Sequence, residues 1–220
     1  MLTADVISKL GIGAVETLYM TLFTTVFGYI IGLPLGVLLA VTGKGGLKEN
    51  KTVYKVLDFI VNIVRSVPFL ILLILLIPYT RAIIGKSYGT TATIVPLVVS
   101  AAPFIARMVE SSLREVDEGV IEAARSMGAG IFTIITKVMI VEAKTSLIDG
   151  ATIALGTIFG YSAMAGVVGG GGLGDIAIRY GLYRFDAEKM WITVILLVIL
   201  VQILQTIGMN ISKRTDKRRI

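Results

Sequence analysis

Five apolar runs, at about residues 15–41, 56–79, 91–107, 145–168 and 190–211, dominate this chain. Each is long enough to cross about 30 Å of hydrocarbon as a helix of roughly 20 residues. Hydrocarbon offers the backbone no hydrogen-bond partner, so a run of this kind has to satisfy its own N–H and C=O groups as a helix. The expected fold class is therefore an all-α membrane protein with five transmembrane helices, a single domain over residues 1–220. Composition agrees, since 55% hydrophobic and 16% charged residues are far from the balance of a soluble domain. The chain has neither Cys nor His. That excludes disulfides and thiolate metal sites and removes the commonest general base, so no catalysis is expected from this chain alone. The first ten residues lack a basic start and a small-residue cleavage site, so the first run is expected to stay in the mature chain.

Basic residues fall unevenly between the runs. One side would hold Lys44, Lys48, Lys51, Lys55, Arg107, Arg114, Arg125, Lys137, Lys144 and the tail Lys213, Arg214, Lys217, Arg218 and Arg219. The other would hold Lys9, Arg81, Lys86, Arg179, Arg184 and Lys189, with Arg65 in or near a span. Basic loops stay in the cytoplasm, which predicts the N-terminus outside and the C-terminus inside. The net charge of +6 then reflects topology and attraction to anionic lipid, not a nucleic-acid footprint.

The largest inner loop in this topology, residues 108–144, is patterned like a helix. Val120, Ala124, Met127, Ile131, Ile134, Ile135 and Val138 recur at steps of three and four, with Glu122, Arg125, Ser126 and Lys137 elsewhere. Gly128 and Gly130 interrupt the pattern, which predicts a short helix, a turn and a second helix. Ala123 and Ala124 would offer a small-residue docking face, with Glu122 placed for charge-assisted hydrogen bonds to a partner. Periodicity alone equally describes an amphipathic helix lying on the bilayer.

Within the runs, Gly28, Gly32 and Gly36, and Gly156 with Gly160, have the spacing of helix-packing seams. Such spacing favours contact within one subunit over contact between copies. Pro34, Pro68, Pro96 and Pro103 each remove a backbone donor and permit bends. Ionisable residues at membrane depth are costly and mark candidate functional positions. Arg65 is one, with Asp149 as a possible partner; Glu16 is expected at the outer interface. Met164, a bulky thioether in the run SAMAG, is a candidate gate, and Ser162 and Arg65 are further pathway candidates. The glycines from Gly169 to Gly174 predict a flexible or tightly turned outer loop; their GxGxxG pattern follows a span and is no dinucleotide site.

The segment EAARSMG, Glu122 to Gly128, resembles the cytoplasmic loop by which ATP-binding-cassette importer permeases grip their ATPase. Glu122, Ala123, Ala124 and Gly128 fit the motif; the nine-residue gap ends at Val138–Val141, where the terminal Pro is absent. RSVPFLILL at 65–73, AAPFIARMVESSL at 101–113 and GYSAMAGVVGGGGLGD at 160–175 are similar to the permease subunit of methionine-type importers, over about residues 14–212. The resemblance implies a homodimeric pathway for methionine working by alternating access. It also implies a dimer of separate ATPase subunits and an extracytoplasmic substrate-binding lipoprotein. Glu122, Ala123, Ala124, Met127 and Gly128 would couple to the ATPase, and Gly171, Gly172 and Asp175 would contact the binding protein. No run of glycines followed by Lys and Ser or Thr cradles phosphate here, so ATP and magnesium would belong to the ATPase. The alternatives are a permease for another small amino acid, or an ATP-independent carrier. An odd number of spans and the lack of an internal repeat argue against the carrier.

Overall fold

A computed structural model describes residues 4–216. Among the described residues, four helices are long and apolar enough to cross a membrane: α1 (Ala4–Thr42), α5 (Thr90–Arg114), the segment Lys144–Val168 and α11 (Ala187–Thr215). Counted as one span, the bent pair α2 (Lys51–Ser66) and α3 (Phe69–Leu75), at 99° to each other, brings the number to five. The second apolar run is thus no single straight helix, and α4 (Ile77–Ile84) follows as a separate element. The cause is local: Pro68 has no N–H to donate and disfavours helical backbone at Val67, which is extended at φ −79°, ψ 124°. Pro34, Pro96 and Pro103, by contrast, sit inside continuous helices.

α1 has 39 residues, about 58 Å at 1.5 Å per residue, and so overruns the hydrocarbon core. Its buried face is a stripe of small residues, Thr17, Thr21, Thr24, Gly28, Gly32 and Gly36. The glycines meet α5 directly. A Cβ on Gly32 would come within 2.6 Å of the Ala102 carbonyl oxygen, and one on Gly28 within 2.8 Å of Ile105. The seam expected from the glycine spacing therefore lies within the subunit, between α1 and α5. Behind α5 stands α9 (Lys144–Met164), and α11 packs on α9 where Gly156 faces Gln205 and Gly208 faces Thr152. Gly160 has nothing near it and belongs to no such seam. In its most apolar stretch α5 is 56% buried and α11 only 6%, which sets α5 at the centre of the bundle and α11 at its edge.

The two ends of the bundle differ. At one end lie the turn after α1, α6 (Glu118–Ser126), α7 (Ile131–Thr133), the π-helical segment Ile134–Met139, α8 (Ile140–Glu142) and the last turn of α11. At the other lie the start of α1, the 3-10 turn Ala165–Val168, α10 (Gly172–Ala177) and the π-helical segment Ile178–Tyr183. The basic residues divide between these ends as the sequence reading expects. Lys217, Arg218 and Arg219 lie outside the described residues.

Candidate functional site

α6 and the turn after it form the candidate docking unit. Asp117 starts α6 by accepting the Gly119 N–H at 2.8 Å, the side-chain cap that a helix N-terminus requires. Gly128, at φ +80°, ends it in the left-handed region, where the Ala129 N–H returns to the Ala124 carbonyl at 3.1 Å. The helix–turn–helix expected over this loop is present, although α5 runs on to Arg114 into the segment read as loop.

Glu122, Ala123, Arg125, Ser126 and Gly128 are exposed, and Met127 at 81% and Phe132 at 79% project as apolar knobs. Ala124 is a correction to the docking face: at 4% exposure it joins the core cluster of Leu113, Val116, Ile134 and Met139. Its small side chain lets α6 lie close on its own subunit, while Ala123 points away from it. Between α6 and the turn after α1 opens a cleft of about 400 Å³ whose charged walls are Lys44, Arg114, Glu118, Glu122 and Arg125. The Arg125 guanidinium donates across it to the Leu47 carbonyl at 3.2 Å.

The sequence reading missed an ionic cluster between α2 and α5. Glu110, with a side chain 6% exposed, accepts from Arg107 at 2.7 Å, from Arg114 at 2.9 Å and from the Tyr54 hydroxyl at 3.1 Å. Arg107 also pairs with Asp58 and donates to Asn62 at 2.9 Å. The local signal was the spacing of Arg107, Glu110 and Arg114, three and four residues apart on one helix face. The α2 partners are about fifty residues away in sequence, and no local pattern links them.

The pathway candidates do not converge. Met164 ends α9 with 49% exposure, so it does not fill the core. Ser162 is fully buried and donates to the Phe159 carbonyl at 2.8 Å, which removes it from any pathway lining. Arg65 is exposed at the last turn of α2 and makes no ion pair with Asp149, itself exposed beside α11.

At the opposite end the glycine run is a tight turn. Gly169, Gly171 and Gly172 take φ of +76° to +79°, a region that L side chains rarely enter. The turn is clamped to α1, where Glu16 accepts the Gly172 N–H at 2.7 Å and Thr17 the Leu173 N–H at 2.9 Å. Gly172 is buried against α1, which corrects its placement among the binding-protein contacts. Gly171 is half-buried, and Asp175 pairs with Arg179 at 2.7 Å with a side chain 14% exposed. Glu16, read as an interfacial charge, is a cap for α10.

Residues 32–219 match the family model described as binding-protein-dependent transport system inner membrane component. The chain is 51% identical over 203 residues to a probable D-methionine transport system permease protein of Vibrio cholerae, covering 92% of this chain and 90% of that one. It is 49% identical to a methionine import system permease protein of Bacillus subtilis, over 92% of this chain and 91% of the relative. Among solved structures, a chain of a methionine ABC transporter in an inward-facing conformation superposes with a TM-score of 0.97 at 48% identity, covering 98% of this chain and all of that one. An amino acid ABC transporter at 21% identity and a TM-score of 0.76 shares the fold.

Proposed function

Because the chain belongs to the family of binding-protein-dependent transport system inner membrane components, a family of multi-pass inner-membrane proteins, we propose that it is the permease of an ATP-driven methionine importer. The single observation that carries this reading is the match, end to end, to a methionine ABC transporter chain at 48% identity. Two copies form the pathway, a dimer of ATPase subunits that holds ATP and magnesium docks beneath them, and a substrate-binding lipoprotein delivers methionine from outside. The basic end, with α6, Lys44 and Arg214, faces the cytoplasm, and the N-terminus lies outside. The charge division and the exposed docking face at one end support that orientation.

In this mechanism the ATPase subunits close on nucleotide and push on α6 through Glu122, Ala123, Met127 and the Gly128 turn. The bundle then passes from inward- to outward-facing. A swing from 1:99 to 99:1 requires the nucleotide states to differ by about 5.5 kcal/mol in their preference, so the docked face must transmit several kcal/mol. An exposed patch of charged, small and apolar groups on a helix fixed at both ends is suited to that load. Met164, half-exposed at the end of α9, supplies an apolar closure for the pathway.

The test is uptake of labelled methionine into proteoliposomes holding this chain, its ATPase and its binding protein. Uptake is expected only with an ATPase able to hydrolyse ATP; uptake without ATP would mean a secondary carrier, and uptake of another amino acid alone would displace methionine. With Met164→Ala in the same vesicles, a passive methionine leak is expected, and a tight membrane would remove the gate role.

A further inference from the structure

If the chain works as an importer, motion of α6 has to reach the helices beyond it, and the ionic cluster on α2 and α5 is placed to carry it. The apolar contact of α2 with the bundle is small, Val61 with Tyr54 and Leu57 against Leu35, Leu39 and Ala106. Val61 is its one buried residue, while Val53, Val56, Phe59, Ile60 and Ile63 are exposed. Beside that contact stand polar ties between α2 and α5: Tyr54, Asp58 and Asn62 from α2 against Arg107, Glu110 and Arg114 from α5.

The four ionised groups, two guanidiniums and two carboxylates, form a neutral set. A buried carboxylate is costly without such partners, and Glu110 has three. The Arg114 guanidinium also lies 5.5 Å from the centre of the Tyr54 ring, within reach of a cation–π contact.

The cluster is continuous with the docking unit. Arg114 forms part of the cleft wall beside Glu118, Glu122 and Arg125. Gly43, at the end of α1, leaves the space that the Arg114 guanidinium occupies, and any side chain there would meet it. A second tie runs from Arg125 to the Leu47 carbonyl, and the chain then passes to Asn50, whose side chain caps α2 through the Thr52 and Val53 N–H groups. α6 is therefore tied to the turn that leads into α2 by Arg125, with Arg114 in the wall of the same cleft, while the far end of α2 meets the 99° bend at Pro68.

We propose that Glu110, held between Arg107 and Arg114, is a positioning residue that keeps α2 in step with α6, so that movement of the docking helix reaches α3 and α4 across the Pro68 bend. The inference rests on the importer reading. Glu110 touches neither substrate nor nucleotide. It acts through the two arginines and Tyr54, and its loss disconnects the drive from the helices it moves.

The experiment compares wild type with Glu110→Gln in the assembled complex, reading methionine taken up per ATP hydrolysed. Glu110→Gln is expected to keep at least half of the hydrolysis rate and to lose about tenfold in uptake per ATP, with Glu110→Asp recovering part of the loss. An unchanged ratio overturns the proposal. Should Glu110→Gln fail to assemble, Tyr54→Phe, which removes the hydrogen bond to Glu110, and Asn62→Ala, which removes those to Arg107 and Asp58, decide the matter: a two- to fivefold lower ratio supports it and a normal ratio refutes it. A readout independent of transport comes from spin labels on Lys55→Cys and Glu115→Cys, in a chain with no cysteine of its own. The α2–α5 distance distribution is expected to be narrow and to broaden with Glu110→Gln, and equal breadth overturns the proposal even if the importer reading itself fails.

Discussion

Ala123 and Ala124 are neighbours in sequence with opposite duties. Ala124 is sealed into the core while Ala123 faces out beside Glu122. Ala124→Leu is expected to overpack and cost about 1–3 kcal/mol of the chain's own stability, seen as a lower melting temperature of the isolated permease. Ala123→Leu should leave that stability within about 0.5 kcal/mol, as exposed substitutions do, yet block ATPase docking and uptake. Glu122→Lys belongs with Ala123→Leu: the chain inserts and uptake is lost. Normal uptake in both exposed variants would remove this face from the docking role. The motif made Glu122 and Gly128 legible, because a charged residue and a left-handed glycine act locally. The inward turn of Ala124 was not legible, because Leu113, Val116, Ile134 and Met139 surround it from other parts of the chain.

Helix pairing sets the next scale. α1 carries glycines in two settings, Gly32 pressed on the Ala102 backbone and Gly11 with nothing within 4 Å. The same replacement is therefore expected to have opposite signs. Gly11→Ala should raise stability by up to about 1 kcal/mol through helix propensity. Gly32→Ala should lower it by about 1–3 kcal/mol, since a backbone oxygen at 2.6 Å has little room to withdraw. Thermal melts of the two variants in one detergent check this, and a gain at both sites would contradict the packing described. Sequence spacing revealed that α1 has a seam, and only the fold revealed that α5 fills it. The prolines teach the same lesson. Pro96 and Pro103 are buried in continuous α5, held by helices on both sides, whereas Pro68 follows α2, with its one buried residue, and breaks the helix.

At the scale of the whole molecule, four of the five expected spans, their helical nature and the basic end were legible because hydrophobic length and charge asymmetry act on every residue alike. The α2–α5 ionic cluster, the α10 cap made by Glu16 and the bend in the second span were not. The cluster and the cap depend on groups brought together from distant positions; the bend has a local cause in Pro68, but Pro34, Pro96 and Pro103 sit in continuous helices, so a proline alone does not mark it. The result is a central α5, a peripheral α11 and one end carrying an exposed α6, the face proposed to meet the ATPase. That claim is tested most directly at Met127, the most exposed large apolar residue of the docking unit. With Met127→Cys as the sole cysteine of this chain, maleimide labelling of the permease alone should be fast, and assembly with the ATPase should slow it at least about tenfold, as burial of an apolar knob requires. Equal labelling in the free and assembled permease would contradict the account.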